Sequence, residues 1–140
     1  MTSDSSYKLP KEKIRAGFKK ALRETDTRMI IDRKLREAGW DIEDKNQVST
    51  EEPVKEGRAD YLLKDRRGRP TAVIEAKRYS IDPEAGKRQA LEYAVNFKVD
   101  FIFLSNGDEI YFWDHKNRPE QKVATFFSQK DLEKLSVLRK

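Results

Sequence analysis

The sequence predicts an α/β fold with a mixed central sheet flanked by helices, and three observations predict it. Short apolar runs with strand character, Ala59–Leu63, Thr71–Ala76, Phe101–Leu104 and Glu109–Trp113, come in two pairs, each joined by a turn containing glycine. Segments of helical period lie before, between and after those pairs. The order helix, helix, hairpin, helix, hairpin, helix over 140 residues suits one core rather than two.

Residues 1–9 are polar, rich in Ser and without periodicity, and read as a disordered tail; 10–140 form the expected domain. Pro10 fits a first helical turn, and Ile14, Phe18, Ala21 and Leu22 make one apolar stripe. A second helix starts at Asp26, carries Met29, Ile30, Arg33 and Leu35, and ends at Ala38-Gly39-Trp40, which has the form of a C-cap with an aromatic packed just beyond it. Asp41–Pro53 is irregular and polar, a loop or a short edge strand. From Gly57, Ala59, Tyr61 and Leu63 alternate with Asp60 and Leu62 as in a strand, and Asp65–Pro70 turns the chain into the apolar strand Thr71–Ala76, giving an antiparallel hairpin.

Asp82 as N-cap and Pro83 at the first helical position open a helix to about Asn96. Phe101–Leu104 and Glu109–Trp113 flank the turn Ser105-Asn106-Gly107-Asp108. Val123–Phe127 reads as one further short strand, and Ser128 caps a closing helix.

Composition limits the function classes. There are 30 Lys and Arg against 25 Asp and Glu, a net charge of +5, which favours a polyanionic partner through counterion release. There is no cysteine, hence no disulfide or thiolate zinc site. No apolar run approaches the ~20 residues of a membrane span, and Met1–Ser6 lacks the pattern of a signal peptide, so a cytoplasmic protein without a membrane partner is expected.

The chemistry is concentrated in Gly57-Arg58-Ala59-Asp60-Tyr61 and Val73-Ile74-Glu75-Ala76-Lys77. Both stretches are central strands by their apolar neighbours, yet they carry ionisable groups, which are costly to bury unless paired or bound to metal. Glu75 and Lys77, two apart, leave one face of a strand. With the hairpin in register, Asp60 reaches that face too. Two carboxylates suit Mg²⁺, which takes oxygen ligands and keeps several waters, and an ammonium beside them suits phosphodiester hydrolysis. A bare E-x-K is more often a structural salt bridge; the preceding Asp on a hairpin partner, the apolar strands and the helix that follows alter the balance.

Ala59-Asp60 followed by Glu75-Ala76-Lys77 resembles the PD-(D/E)xK nuclease superfamily, with Ala in place of the motif's Pro. Gln89 and Tyr93, four apart on one helix face, resemble the Q-x-x-x-Y motif of its RecB-like branch. Glu24-Thr25-Asp26-Thr27-Arg28, Leu35–Trp40, Ala85–Ala90, Phe103–Gly107 and Tyr111–Asp114 are similar to the opening of type I restriction enzyme R (restriction and motor) subunits, so the likeness spans about Pro10 to Phe127. The resemblance implies a restriction-endonuclease-like core and a metal-dependent endonuclease domain acting on double-stranded DNA. It implies catalytic roles for Asp60, Glu75, Lys77, Gln89 and Tyr93, and metal ligation by Asp60 and Glu75 with support from Glu24 (Glu37 is the other candidate). Arg78, Lys87 and Arg88 are the expected DNA contacts. The basic hairpin tip Arg66-Arg67-Gly68-Arg69 fits phosphate contact or a solvated turn equally well.

The same likeness implies methylation and specificity subunits as partners, and an ATP-driven translocase downstream. No G-x-x-x-x-G-K-[ST] phosphate loop is present, so ATP belongs to a longer parent of which this chain is expected to be the N-terminal piece. The competing expectation is a catalytically inert nuclease-fold module for DNA contact or subunit docking; the intact D…E-x-K set favours the enzyme. His115 reads as a surface residue, and Tyr111, Phe112 and Trp113 as packing beside the sheet.

Overall fold

The computed structural model of the chain describes residues 26–54, 57–76 and 86–138. Helix α1 covers 26–37. It is followed by β1 (Val48–Val54), β2 (Gly57–Lys64), β3 (Pro70–Ala76), α2 (Lys87–Phe97), β4 (Phe101–Ser105), β5 (Ile110–Asp114), β6 (Gln121–Val123) and α3 (Gln129–Leu138). The expected first helix and the residues Glu24, Lys77, Arg78, Asp82 and Pro83 lie outside the described residues.

The six strands form one sheet whose spatial order follows the chain. Every neighbouring pair is antiparallel except β3 and β4, which run parallel. A parallel pair needs a crossover, and α2 lies in it. The sheet is therefore mixed, as the sequence predicts.

Helices cover both faces. On one, Ile31 and Leu35 of α1 and Leu132 of α3 pack with Tyr61, Leu63, Ile74, Phe101 and Phe103. On the other, Ala90, Tyr93 and Ala94 of α2 meet Leu62, Val73, Ile102 and Leu104. β4 is buried along its whole length, which is why its sequence is a continuous apolar run rather than an alternation.

Helix ends follow the local code. Gly39 is left-handed (φ 98°), Trp40 N–H donates to the Leu35 carbonyl at 3.0 Å and Gly39 N–H to Arg36 at 2.9 Å. This is a Schellman closure whose hydrophobic contact joins two core residues, Trp40 and Leu35. α2 ends the same way with a lysine in glycine's place: Lys98 has φ 58°, and Val99 N–H donates to Ala94 at 2.9 Å. The expected Ser128 cap of α3 is present, its Oγ accepting Asp131 N–H at 3.1 Å.

Asp41–Pro53, expected as a loop or a short edge strand, holds a loop and then most of the seven-residue edge strand β1. Two expectations are corrected. The buried stripe of α1 is Thr27, Ile31 and Leu35, whereas Met29 is 63% exposed and Arg33 is exposed. The last strand precedes its expected place: Gln121–Val123 pairs with β5, after which Phe126 buries and Phe127 stacks on Phe112 at 4.6 Å. Burying two aromatic rings turns the chain out of the ladder, and the Phe127 carbonyl is fixed there by Trp40 Nε1 at 2.8 Å.

Candidate active site

The carboxyl ends of parallel strands are where open α/β sheets commonly place their ligands. Here that end of the parallel pair holds Glu75 and Ala76 on β3, opposite Leu104 and Ser105 on β4. Glu75 is 4% exposed. It follows Val73 by two and pairs with Leu104, both part of the cluster under α2. Glu75 has interactions of its own, and its Oε2 atom is buried with no hydrogen bond among the described residues.

Asp60 meets this end from β2. The pairing of β2 with β3 extends to Tyr61↔Ile74, so Asp60 and Glu75 are the next residue along each strand. Ala59 packs with Leu62 on the α2 side although the two are three apart, while Tyr61 and Leu63 face α1. The alternation is therefore interrupted at Asp60. Its Oδ2 accepts the Ala76 backbone N–H at 2.8 Å, and Ala76 is the residue between Glu75 and Lys77. Thus the hairpin seats the aspartate against the middle of the E-A-K triplet.

The other oxygen is engaged from α1. Arg28 Nη2 donates to Asp60 Oδ1 at 2.8 Å, the two side chains being 37% and 20% exposed. The guanidinium carbon stands 5.7 Å over the Tyr61 ring, and the Tyr61 hydroxyl donates to Asp32 Oδ1 at 2.7 Å. Burial, then the hydrogen bond to Asp32, pushes the Tyr61 hydroxyl well above its ordinary value, so it remains a donor. The β4–β5 turn supports the same end of α1: Lys34 Nζ donates to the Gly107 carbonyl at 2.7 Å, and a Cβ at Gly107 would stand 3.5 Å from Thr27.

The sequence alone does not single out Arg28 for the site. Its one signal is its place: Arg28 and Asp32 share a helix face beside the buried Ile31 and Leu35. That marks a polar edge to the core contact, but names no partner.

Gln89 and Tyr93 are brought together, Gln89 Nε2 donating to the Tyr93 hydroxyl at 2.6 Å. Tyr93 is 1% exposed in the cluster that also holds Val73 and Leu104, so the pair lies on the Glu75 face of the sheet. Lys87 Nζ contacts Glu120 Oε2 at 2.7 Å and stands 4.9 Å over the Trp113 ring, and Arg88 is exposed. Glu37 is exposed in the last turn of α1, about 13 Å along the axis from Arg28. His115 is half-buried, its Nε2 2.9 Å from the Val99 carbonyl.

Among the described residues no cluster of three His, Cys, Asp or Glu side chains forms. The donor chemistry nonetheless fits a hard cation. Asp60 and Glu75 offer carboxylate oxygens, and each Asp60 oxygen that accepts one hydrogen bond keeps a second lone pair.

Three comparisons bear on identity. The family model described as type I restriction enzyme R protein N terminus matches residues 45–121, more than half of the chain and inclusive of Asp60, Glu75, Lys77, Gln89 and Tyr93. The type I restriction enzyme EcoAI endonuclease subunit of Escherichia coli is 34% identical over 92 residues, covering 55% of this chain and 11% of its own length. A solved fragment described as an HsdR subunit of a type I restriction enzyme from Vibrio vulnificus superposes with a TM-score of 0.67 at 28% identity, covering 80% of this chain and 24% of that one. This chain thus spans a small part of the proteins it resembles. On the family match and the shared fold together, the chain belongs to the N-terminal region family of type I restriction enzyme R proteins.

Proposed function

We propose that this chain is a metal-dependent endonuclease domain that hydrolyses DNA phosphodiester bonds as part of a type I restriction enzyme. The observation that carries the reading is the 2.8 Å bond from Ala76 N–H to Asp60 Oδ2, which sets the motif aspartate against the strand that carries Glu75 and leads into Lys77. The similarity to an endonuclease subunit supports it.

In this reading Asp60 and Glu75 hold Mg²⁺, with Glu24 supporting the ion or its waters. The bound ion supplies Lewis acidity toward the phosphoryl oxygens and makes a coordinated water more acidic. The Lys77 amine orients or deprotonates the attacking water and offsets developing negative charge. Gln89 and Tyr93, tied to each other, position DNA or the site from α2. Arg78 and Arg88 contact phosphates and set the register of the duplex without reading sequence. Lys87, already engaged by Glu120, joins them when duplex phosphate competes for its ammonium.

Residues 10–140 act as the nuclease domain and 1–9 as a tail. Methylation and specificity subunits select the DNA, and an ATP-driven translocase delivers it, all in the cytoplasm. The test places Asp60→Ala, Glu75→Ala and Lys77→Ala singly in the assembled enzyme and measures cleavage and translocation. Each is expected to abolish cutting of double-stranded DNA while ATP-driven translocation persists. Normal cutting by any two of the three defeats the assignment.

A further inference from the structure

We propose that Arg28 is a resident cation at the Asp60 carboxylate which competes with the divalent ion, so that metal binding breaks the Arg28–Asp60 ion pair, one of the contacts between α1 and β2. This rests on the proposed metal role of Asp60 and adds to it a regulator of that site.

The guanidinium is held in place from several directions. It donates to Asp60 Oδ1 at 2.8 Å and lies 5.7 Å over the Tyr61 ring. Tyr61, 1% exposed, is itself held by the bond its hydroxyl donates to Asp32 at 2.7 Å, with the Arg28 carbonyl 3.4 Å from the same oxygen. The tyrosine ring thus gives the guanidinium a fixed surface beside the aspartate. An arginine cannot shed its proton to accommodate a second cation. A divalent ion on the same carboxylate would stand within about 5 Å of the guanidinium, where like charges repel strongly enough to alter affinity. At 37% exposed, the Arg28 side chain has a solvent side onto which it can swing, toward any DNA phosphate that approaches. The Ala76 N–H bond holds Oδ2 independently, so Asp60 keeps its aim after the arginine leaves.

The experiment is a calorimetric titration of Mn²⁺ into the chain and three variants, Arg28→Gln, Arg28→Lys and Asp60→Asn. Arg28→Gln is expected to bind the ion on the order of tenfold more tightly, as removal of one adjacent charge implies. Arg28→Lys, which keeps the charge, stays near wild type, and Asp60→Asn loses binding. Gain of affinity is the discriminating result, since damage to the fold would weaken binding. If Asp60→Asn loses binding while Arg28→Gln is unchanged or weaker, the competition is overturned and the metal site stands. If Asp60→Asn binds as wild type, the ion is not at Asp60 and both readings fall. Should Arg28→Gln not fold, the guanidinium proton resonances of Arg28 in the wild-type chain decide: a shift on adding Mg²⁺ is expected, and an unmoved signal at saturation overturns the proposal.

Discussion

Replacing Asp60 with alanine should cost the protein stability in the absence of divalent metal, whereas removal of a carboxylate kept for a function alone often has the opposite effect. The structure supplies the magnitude. The Ala76 N–H, now satisfied at 2.8 Å, would lose a charged acceptor in a partly buried setting, which costs about 1.5 kcal/mol. The ion pair with Arg28 adds little, because its arginine is 37% exposed and solvent screens it; about 0.5 kcal/mol is a fair allowance. The sum, about 2 kcal/mol, corresponds to a fall of about 7 °C in Tm for a domain of this length. Asp60→Asn keeps an acceptor for Ala76 N–H and should lose less than half as much. Urea unfolding without divalent metal, followed by tryptophan fluorescence, gives both values; Trp40, 2% exposed, reports on the core. An alanine variant as stable as wild type would show that Asp60 carries no structural weight and would refute the argument.

Two other perturbations test the fold around the site. Lys98→Gly should stabilise the chain by about 0.5–1 kcal/mol, because Lys98 holds φ 58° in a cap that favours glycine and its side chain is exposed; a lower urea midpoint for this variant would contradict the cap assignment. At the β2–β3 turn, partial burial works to raise the Asp65 carboxyl, but the backbone N–H groups of Arg69 and Arg67 and the Arg69 guanidinium outweigh it and hold it below its usual 3.8. A carboxyl lowered on folding stabilises the native state above its unfolded pKa and loses that contribution as pH falls through the folded value. The stability advantage of wild type over Asp65→Asn should therefore be present at about pH 5 and shrink by about pH 2.5; an equal advantage at both would refute it.

Much of this architecture was legible from residue patterns. Turn chemistry announced both hairpins, and the Asp65 side chain, Gly68 (φ 78°) and the Asn106 side chain perform the roles their types suggest. Gly39 followed by Trp40 announced the end of α1. The rest was set by tertiary contact. Asp41–Pro53 could be read only as a loop or an edge strand, because β1 carries no apolar alternation of its own; the edge that β2 offers decides it. Phe126 and Phe127 have strand propensity, yet burial of their rings against Phe103 and Phe112 outweighs another ladder. In the site, Asp60 and Glu75 could be proposed from spacing, since register follows from the hairpin. The Arg28 contact joins residues 32 apart, and no local rule connects them.

Because strand order follows chain order, the sheet consists of two meanders, β1–β3 and β4–β6, joined along the single parallel seam. Each meander closes through short-range contacts, so the slow event in assembly should be the mating of the halves, where the longest loop must be closed. The helices then act as clasps across that seam: α1 reaches from Asp60 to Gly107, and α3 binds the first meander through Gln129 to the Lys64 carbonyl and Glu133 to Arg66. Glu75 stands on the seam itself, so the hairpin alone can bring Asp60 to Ala76, but the burial of Glu75 beside Leu104 is complete only when both halves have docked.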